Sequence, residues 1–318
     1  MTIPHGLRAG IDEIVGAVGA GELERAARAL SERYRGGGPA GTRAARTATD
    51  VAAYLLTRAP ATYAAVEDVC RRTRRARPEW APASVLDLGA GPGVASWAAT
   101  VTWPGVTSVT LVEAEPAMVS AGRALAAHGP AALRDARWEA LTVGATEAKA
   151  DLVVASYVVG ELEPAALRGF LEHAWALTAD TLVVVEPGTT AGYRRILAVR
   201  EAVLGLGGSI LAPCPHERPC PLPEGDWCHF SARLPRSRAH RLAKDAERGF
   251  EDEKFAYVVL GRSPQPLPDA RVIRRPDPHG GHVVLDLCTG QGLERRTVSR
   301  RDGAGYRTAR KVGWGDTL

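Results

Sequence analysis

The sequence of 318 residues predicts a doubly wound α/β fold, in which helices cover both faces of a mostly parallel sheet. From Ser84 onward, short apolar runs rich in β-branched residues alternate with helix-like segments. A glycine-rich turn, DLGAGPG at 87–93, follows the first of these runs and precedes a helix-like segment. No apolar run approaches the roughly 20 residues that cross a bilayer, so we expect no membrane partner.

Composition and periodicity divide the chain into four regions. Residues 1–78 carry apolar side chains at helical spacing, and Pro60 is expected in the first turn of a helix. Residues 79–207 hold the alternating strands and helices of the core. Residues 208–250 form an insertion rich in Cys and Pro, and residues 251–318 supply the last core strands and a basic, β-rich extension.

The strands are predicted from their apolar runs. The buried parallel strands lie within SVLDLGAG at 84–91, SVTLVEAE at 108–115, DLVVASYV at 151–158 and TLVVVEPG at 181–188. We expect FAYVVLGR at 255–262 and GHVVLDLC at 281–288 to complete a seven-stranded sheet. The alternation in YRTARKVGWGD at 306–316 predicts a final hairpin.

The turn at 87–93 predicts a nucleoside site. Glycines allow the backbone to approach a ligand that a Cβ would exclude, and the next helix offers free N–H groups. Glu113 ends the second strand, where a carboxylate can accept hydrogen bonds from both ribose hydroxyls. S-adenosylmethionine (SAM) and NAD sites share this arrangement, and the acidic residue before the first glycine favours SAM.

VLDLGAGPG at 85–93, followed by LVEAEPAM at 111–118, resembles the first two motifs of class I methyltransferases. The resemblance implies a Rossmann-like SAM-binding domain with a seven-stranded sheet. It also implies that Asp87 orients the methionine end of SAM, Glu113 holds the ribose and Met118 flanks the adenine. The glycines implied to line the ligand are Gly89, Gly91 and Gly93.

Four further residues are weaker pocket candidates. Glu139 follows the third strand, where an adenine contact can arise, and Ser156, Tyr157 and Glu161 follow the fourth. Each is equally typical of an ordinary loop. The aromatic-proline tetrapeptide that amino-methylating enzymes place after the fourth strand is absent. The sequence therefore names no catalytic base or nucleophile, no methyl acceptor and no oligomeric state.

Four of the five cysteines predict a metal site. Cys214, Cys220 and Cys228 lie within the Pro-rich insertion, and Cys288 ends a predicted strand. Four thiolates suit either tetrahedral zinc or a [4Fe–4S] cluster, and the wide spacing favours the cluster. His216 or His229 could replace one thiolate in a zinc site. Cys70 has no such neighbours and is interpreted as an ordinary thiol.

Several segments together resemble the methyltransferase-like assembly proteins of the mitochondrial small ribosomal subunit and their bacterial relatives. They are YLLTRAPATYAAV at 54–66, EPGTTAGY at 186–193, APCPHERPCPL at 212–222, DWCHFSARLPRSRAHR at 226–241, HVVLDLCT at 282–289 and ARKVGWGD at 309–316. The resemblance implies a [4Fe–4S] cluster on the four cysteines and association with small-subunit ribosomal RNA. No radical-SAM pattern of cysteines is present, so the implied cluster is structural.

The charge pattern fits an RNA partner. The formal net charge is +4, and basic residues concentrate at 233–248 and 295–311. In the light of the resemblance these stretches are interpreted as phosphate contacts, with Tyr306 and Trp314 as stacking or packing residues. Acidic and basic residues interrupt every apolar run of the first 30 residues, which excludes a secretory signal and disfavours a transit peptide. We therefore expect a cytoplasmic protein.

Three functions compete. The first is a SAM-dependent methyltransferase acting on ribosomal RNA or a ribosomal protein. The second is an RNA-binding assembly factor that keeps the SAM fold and performs no chemistry. The third, a small-molecule methyltransferase, leaves the Cys-rich insertion and the basic stretches unexplained.

Overall fold

Four helices precede the sheet in the computed structural model, which describes residues 2–35, 45–236 and 249–318. They are α1 His5–Gly16, α2 Ala20–Arg35, α3 Ala48–Thr57 and α4 Ala59–Ala76. Pro60 lies in the first turn of α4, as predicted, because that position requires no N–H donor. Thr47 caps α3 by accepting a hydrogen bond from the Asp50 N–H at 3.0 Å.

The main sheet has eight strands among the described residues. They are β1 Ser84–Leu88, β2 Ser108–Val112, β3 Arg137–Glu139, β4 Ala150–Ser156, β5 Thr178–Pro187, β6 Ser209–Ala212, β7 Phe230–Pro235 and β8 Phe250–Gly261. Their order is β3-β2-β1-β4-β5-β8-β6, and β7 also pairs with β8. Strands β1 to β5 are mutually parallel, and β8 is antiparallel to β5. This order is that of the class I methyltransferase sheet, so the predicted fold class is confirmed.

Helices cover both faces of this sheet. They are α5 Val94–Thr102, α6 Pro116–Ala126, α7 Ala131–Arg134, α8 Leu167–Leu177 and α9 Thr190–Gly205. Alternate residues of β5 face opposite layers: Val183 packs in the core with α4 and α5, whereas Leu182 and Val184 pack in the core with α8 and α9. Because both faces of the central strands are buried, their sequences are continuous apolar runs.

The Cys-rich loop interrupts one edge of the sheet. Strand β6 pairs with the C-terminal half of β8, at Ile210 and Leu260, and β7 pairs with its N-terminal half, at Phe230 and Phe255. Residues 213–229 connect these two strands. The loop therefore leaves the sheet and returns to the same neighbouring strand.

The C-terminal region differs from the prediction in two places. The segment GHVVLDLC does not join the main sheet, whose order instead ends on β6 beside β8. It forms β11 of a second sheet with strands β9 Ala270–Val272, β10 Asp277–Pro278, β11 His282–Thr289 and β12 Gly292–Ser299. Burial alternates along β11, as expected for a strand with one covered face rather than for a strand buried on both faces.

The tail at 306–316 is not a hairpin. Residues Ala304–Ala309 form helix α10, which places Tyr306 and Ala309 against the core of the second sheet. Residues three apart lie on the same face of a helix, so a helix lets Tyr306 and Ala309 contact this core together. In the part of the chain that the structure describes, no helix has the length and apolar character needed to span a bilayer.

Candidate functional site

The glycine-rich turn joins β1 to α5 in a conformation that requires glycine. Gly89, Gly91 and Gly93 have φ values of 68°, 55° and 79°, in the left-handed region that side chains disfavour. A Cβ on Gly93 would lie 2.8 Å from Leu111, and one on Gly89 would lie 2.5 Å from Val158. A Cβ on Gly91 would meet no atom of the described residues within 4 Å, so Gly91 borders open space there.

Asp87 is fully buried at the end of β1. Its Oδ2 accepts hydrogen bonds from the backbone N–H of Ser96 at 3.1 Å and from the Ser96 hydroxyl at 2.8 Å. Its Oδ1 is buried and has no hydrogen-bond partner among the described residues. Burial raises the pKa of Asp87 to about 6, although the bonds from Ser96 oppose the rise. The free oxygen can accept a bond from a ligand donor at this site.

Glu113 lies at the neighbouring position, just beyond β2. Its Oε2 accepts a hydrogen bond from the Gly91 N–H at 2.8 Å, and its Oε1 accepts one from the Glu115 N–H at 2.8 Å. Each carboxylate oxygen has a second lone pair that a ribose hydroxyl could use. Met118 is buried in the first turn of α6.

The weaker candidates lie at the same carboxyl edge of the sheet. Glu139 ends β3 and pairs with Arg137 at 2.9 Å. Ser156 ends β4, and Glu161 lies in a short 3-10 turn after it. Tyr157 adopts a φ of 60°, which is uncommon for a residue with a side chain.

Two carboxylates that the sequence did not single out complete this edge. The Tyr157 hydroxyl donates to Glu253 on β8 at 3.2 Å. Glu186, at the end of β5, is fully buried; it accepts from the Gly160 N–H at 3.2 Å and from Arg195 at 3.3 Å. Burial raises the pKa of Glu186 to about 7, and the Arg195 charge opposes the rise. Glu186 is the first residue of the segment EPGTTAGY and follows the apolar run of β5. This position of an acidic residue in the sequence could have marked it as a site candidate.

The four cysteines predicted as ligands line one cavity. Cys214, Cys220 and Cys228 reach it from the loop at 213–229, and Cys288 reaches it from β11 in the second sheet. Cys70 is buried elsewhere, in α4. The structure therefore gathers these four thiols from segments up to 74 residues apart.

The thiols have few hydrogen-bond partners of their own. The Tyr193 hydroxyl donates to the sulfur of Cys220 at 3.0 Å, and Cys288 lies 3.4 Å from Nε2 of His216. Burial raises the pKa of Cys288 to about 12, and the neighbouring Cys214 and Cys220 raise it further. Burial and the other three cysteines likewise raise the pKa of Cys228.

The two histidines considered as alternative ligands have different surroundings. His216 lines the cysteine cavity. His229 stacks on Trp227 at 5.3 Å and meets the edge of Trp314 at 4.9 Å. Across residues 2–35, 45–236 and 249–318, no three Cys, His, Asp or Glu side chains lie close enough together to hold one metal ion.

The structure describes only part of the first basic stretch and all of the second. Residues 237–248 of the stretch at 233–248 lie outside the described residues. The stretch at 295–311 is mostly exposed and runs through β12 and α10. Within it Arg296 pairs with Glu294 at 2.6 Å. Trp314 packs against the main core, and Tyr306 against the core of the second sheet.

Comparison with known proteins assigns the family. A sequence profile described as "Mitochondrial small ribosomal subunit Rsm22" matches residues 48–318, most of the chain. The chain belongs to the Rsm22 family. This membership confirms the resemblance recognised in the sequence.

Two proteins described as mitochondrial are similar to this chain over most of its length. The human ribosome assembly protein METTL17, mitochondrial, is 29% identical over 289 residues, which cover 83% of this chain and 61% of the relative. The Rsm22-cox11 tandem protein 2, mitochondrial, of Schizosaccharomyces pombe is 27% identical over 328 residues, covering 85% and 43%. The chain thus spans less than two thirds of the length of either relative.

Several solved methyltransferase structures are similar to part of this chain at low identity. A magnesium protoporphyrin IX methyltransferase from Synechocystis with bound SAM has a TM-score of 0.42 at 14% identity, covering 64% of this chain and 80% of that one. A SAM-dependent methyltransferase from Agrobacterium tumefaciens has a TM-score of 0.39 at 15% identity, covering 62% of each chain.

The prediction of a cytoplasmic protein is wrong. The Rsm22 profile that matches the chain and both relatives are described as mitochondrial, and this finding overturns the prediction. The prediction relied on charges in the first 30 residues, and the structure accounts for them differently. These residues form α1 and α2, whose apolar residues, such as Leu7, Ile11 and Leu30, are buried. The charges are the solvent face of amphipathic helices and carry no information on compartment.

Proposed function

We propose that this chain is a SAM-binding assembly protein of the small ribosomal subunit that binds or acts on its RNA. Membership of the Rsm22 family across residues 48–318 carries the proposal. The human relative is named a ribosome assembly protein, and that role is transferred here as a hypothesis. Filter binding to small-subunit RNA tests it. Affinity equal to that of a neutral control protein would contradict it.

Two features at the carboxyl edge support SAM as the ligand. The buried Oδ1 of Asp87 lacks a partner, and Gly91 borders space that a Cβ would narrow. In this proposal Asp87 binds the methionine end and Glu113 the ribose, while Met118 flanks the adenine. When bound, SAM supplies an activated methyl group. Calorimetric titration should show binding that Glu113→Ala abolishes, and an undiminished affinity in this variant would refute the assignment.

The four-cysteine cavity supports a metal–thiolate group, for which we favour a [4Fe–4S] cluster over zinc. Four thiols around one cavity are the donor set that either group requires. The wide spacing of the three loop cysteines in the sequence is the reason for preferring the larger group. When bound, it links the Pro-rich loop to the second sheet. Iron and sulfide near four each per chain would support the cluster, and zinc near one would contradict it.

Methyl transfer is the second candidate function. Tyr157, in a strained backbone conformation, presents its hydroxyl to Glu253 at the carboxyl edge, and strained residues concentrate at functional sites. This pair could hold or accept a proton from an acceptor group. Incubation with labelled SAM and immature small subunits tests the candidate. If SAM binds and no ribosomal fraction gains label, the chain is an assembly factor without this chemistry.

A further inference from the structure

Two buried arginines line the cavity that holds the four cysteines. Arg200 lies on α9 and Arg271 on β9, and they are 6% and 5% exposed. Within the described part of the chain, neither guanidinium pairs with a carboxylate. A buried charge without a counter-ion is costly, so an anion beside these two cations would stabilise the fold.

Their hydrogen bonds hold the Cys-rich loop without neutralising the charge. Arg200 donates from Nη2 to the carbonyl oxygens of His216 at 3.1 Å and Arg218 at 2.6 Å. Arg271 donates from Nε to the Pro213 carbonyl at 2.7 Å and from Nη1 to the Gly315 carbonyl at 2.9 Å. In the part of the chain that the structure describes, the Nε of Arg200 is buried and has no hydrogen-bond partner. Carbonyl dipoles satisfy N–H groups, yet they leave both positive charges uncompensated.

We propose that Arg200 and Arg271 provide the counter-charge for an anionic metal–thiolate group on the four cysteines. The inference rests on the metal site proposed above and adds two positioning residues to it. A zinc ion or a [4Fe–4S] core bound by four thiolates carries a net negative charge, because the thiolates outweigh the net positive charge of the ion or of the iron–sulfide core. Two guanidinium groups at the same cavity offset that charge where water cannot. The unpartnered Nε of Arg200 is then a donor reserved for this group.

Three variants separate this role from simple bracing of the loop. Arg200→Gln and Arg271→Gln remove the charge and keep a donor, and Arg200→Lys keeps the charge. Arg168→Gln is the matched control, because Arg168 lies on α8 with 89% of its side chain exposed and pairs within its own helix. For each protein we would measure the melting temperature with metal and after metal removal, both without oxygen, and the rate of metal release to a chelator.

The metal-dependent gain in melting temperature is the decisive quantity. We expect it to be smaller in Arg200→Gln and Arg271→Gln than in the wild type, largely kept in Arg200→Lys and unchanged in Arg168→Gln. Metal release should be about tenfold faster in the two Gln variants, the usual effect of losing a residue that supports metal ligands.

The outcomes that overturn the inference are distinct from those that overturn the metal site. A bracing role alone would lower the melting temperatures with and without metal equally, and an unchanged gain in both Gln variants would overturn the counter-charge. If Arg200→Gln fails to fold, Arg271→Gln decides by the same measurement. A wild-type chain that binds no metal would overturn the proposed metal site and this inference with it.

Discussion

At the scale of single residues, the backbone conformation of the glycine-rich turn at 87–93 was predictable, and its internal hydrogen bonding was not. Glycine at positions 89, 91 and 93 follows from positive φ angles that few other residues adopt. No sequence pattern reports that the Glu113 carboxylate accepts a bond from the Gly91 N–H. That contact depends on how closely the ends of β1 and β2 approach, which is a property of the assembled sheet.

Gly91 and Gly207 offer a matched pair for testing the ligand. Both have positive φ, 55° and 84°, and a Cβ on either would meet no protein atom within 4 Å. Substitution by Ala should therefore destabilise the fold by a similar amount, about 1 kcal/mol. Only Gly91→Ala should weaken SAM binding, as measured by calorimetry, because only Gly91 faces the proposed ligand. Equal SAM affinity in the two variants would remove Gly91 from the site.

Burial of Asp87 predicts a pH dependence of stability. Its pKa is raised to about 6, above the value near 3.9 in an unfolded chain, so the folded state retains the proton more strongly. The free energy of unfolding of the SAM-free protein should therefore fall as pH rises from about 4 to 6. Asp87→Asn should remove this loss and stabilise the SAM-free protein at pH 8 by about 1–3 kcal/mol.

Denaturant unfolding at pH 5, 6 and 8 measures this effect. Asp135→Asn, an exposed substitution, serves as the control and should leave the pH profile unchanged. A variant at Asp87 that is no more stable than the wild type at pH 8 would show that the carboxylate is not penalised by burial.

At the scale of elements, the Cys-rich loop was predicted as an insertion, but its anchoring was not. Strands β6 and β7 share the outer edge of β8, so the ends of residues 213–229 are fixed by the same strand. The fourth cysteine arrives from β11, which the sequence assigned to the wrong sheet. Apolar periodicity indicates a strand and its buried face, whereas the choice of partner strand depends on contacts distant in sequence.

Cysteine variants test whether the cavity organises this loop. Cys220→Ala should lose the metal and lower the melting temperature and the RNA affinity together, because the Pro-rich loop then lacks its cross-link to β11. Cys70→Ala is the control, since Cys70 is buried in α4 away from the cavity. It should keep the metal and the RNA affinity. A Cys220→Ala protein without metal but with normal melting and RNA binding would contradict a structural role.

At the scale of the whole molecule, the α/β core was predictable because both faces of its central strands are buried. Continuous apolar runs of the length found in β4 and β5 are typical of parallel strands that helices cover on both sides. The second sheet and the compartment were mispredicted for related reasons. The burial pattern of β11 shows which face of the strand is covered, and it does not show which sheet the strand joins. The charges of α1 and α2 mark the solvent faces of these helices, and they do not show the compartment of the protein.

The exposed basic stretch at 295–311 predicts salt-sensitive RNA binding. The double variant Arg301→Gln and Arg307→Gln should weaken binding to small-subunit RNA and reduce the slope of log affinity against log salt by about 1–2. Arg168→Gln, on α8, should leave the slope unchanged. An identical slope in the double variant would exclude these two side chains from phosphate contact.

Sedimentation with ribosomal particles tests the assembly role most directly. Lysate of cells expressing the tagged chain would be separated on a sucrose gradient at low and high salt, and the chain located across the fractions. The account predicts that the chain sediments with immature small subunits at low salt and is released at high salt. A chain that remains at the top of the gradient at low salt, although folded and able to bind SAM, would contradict the account.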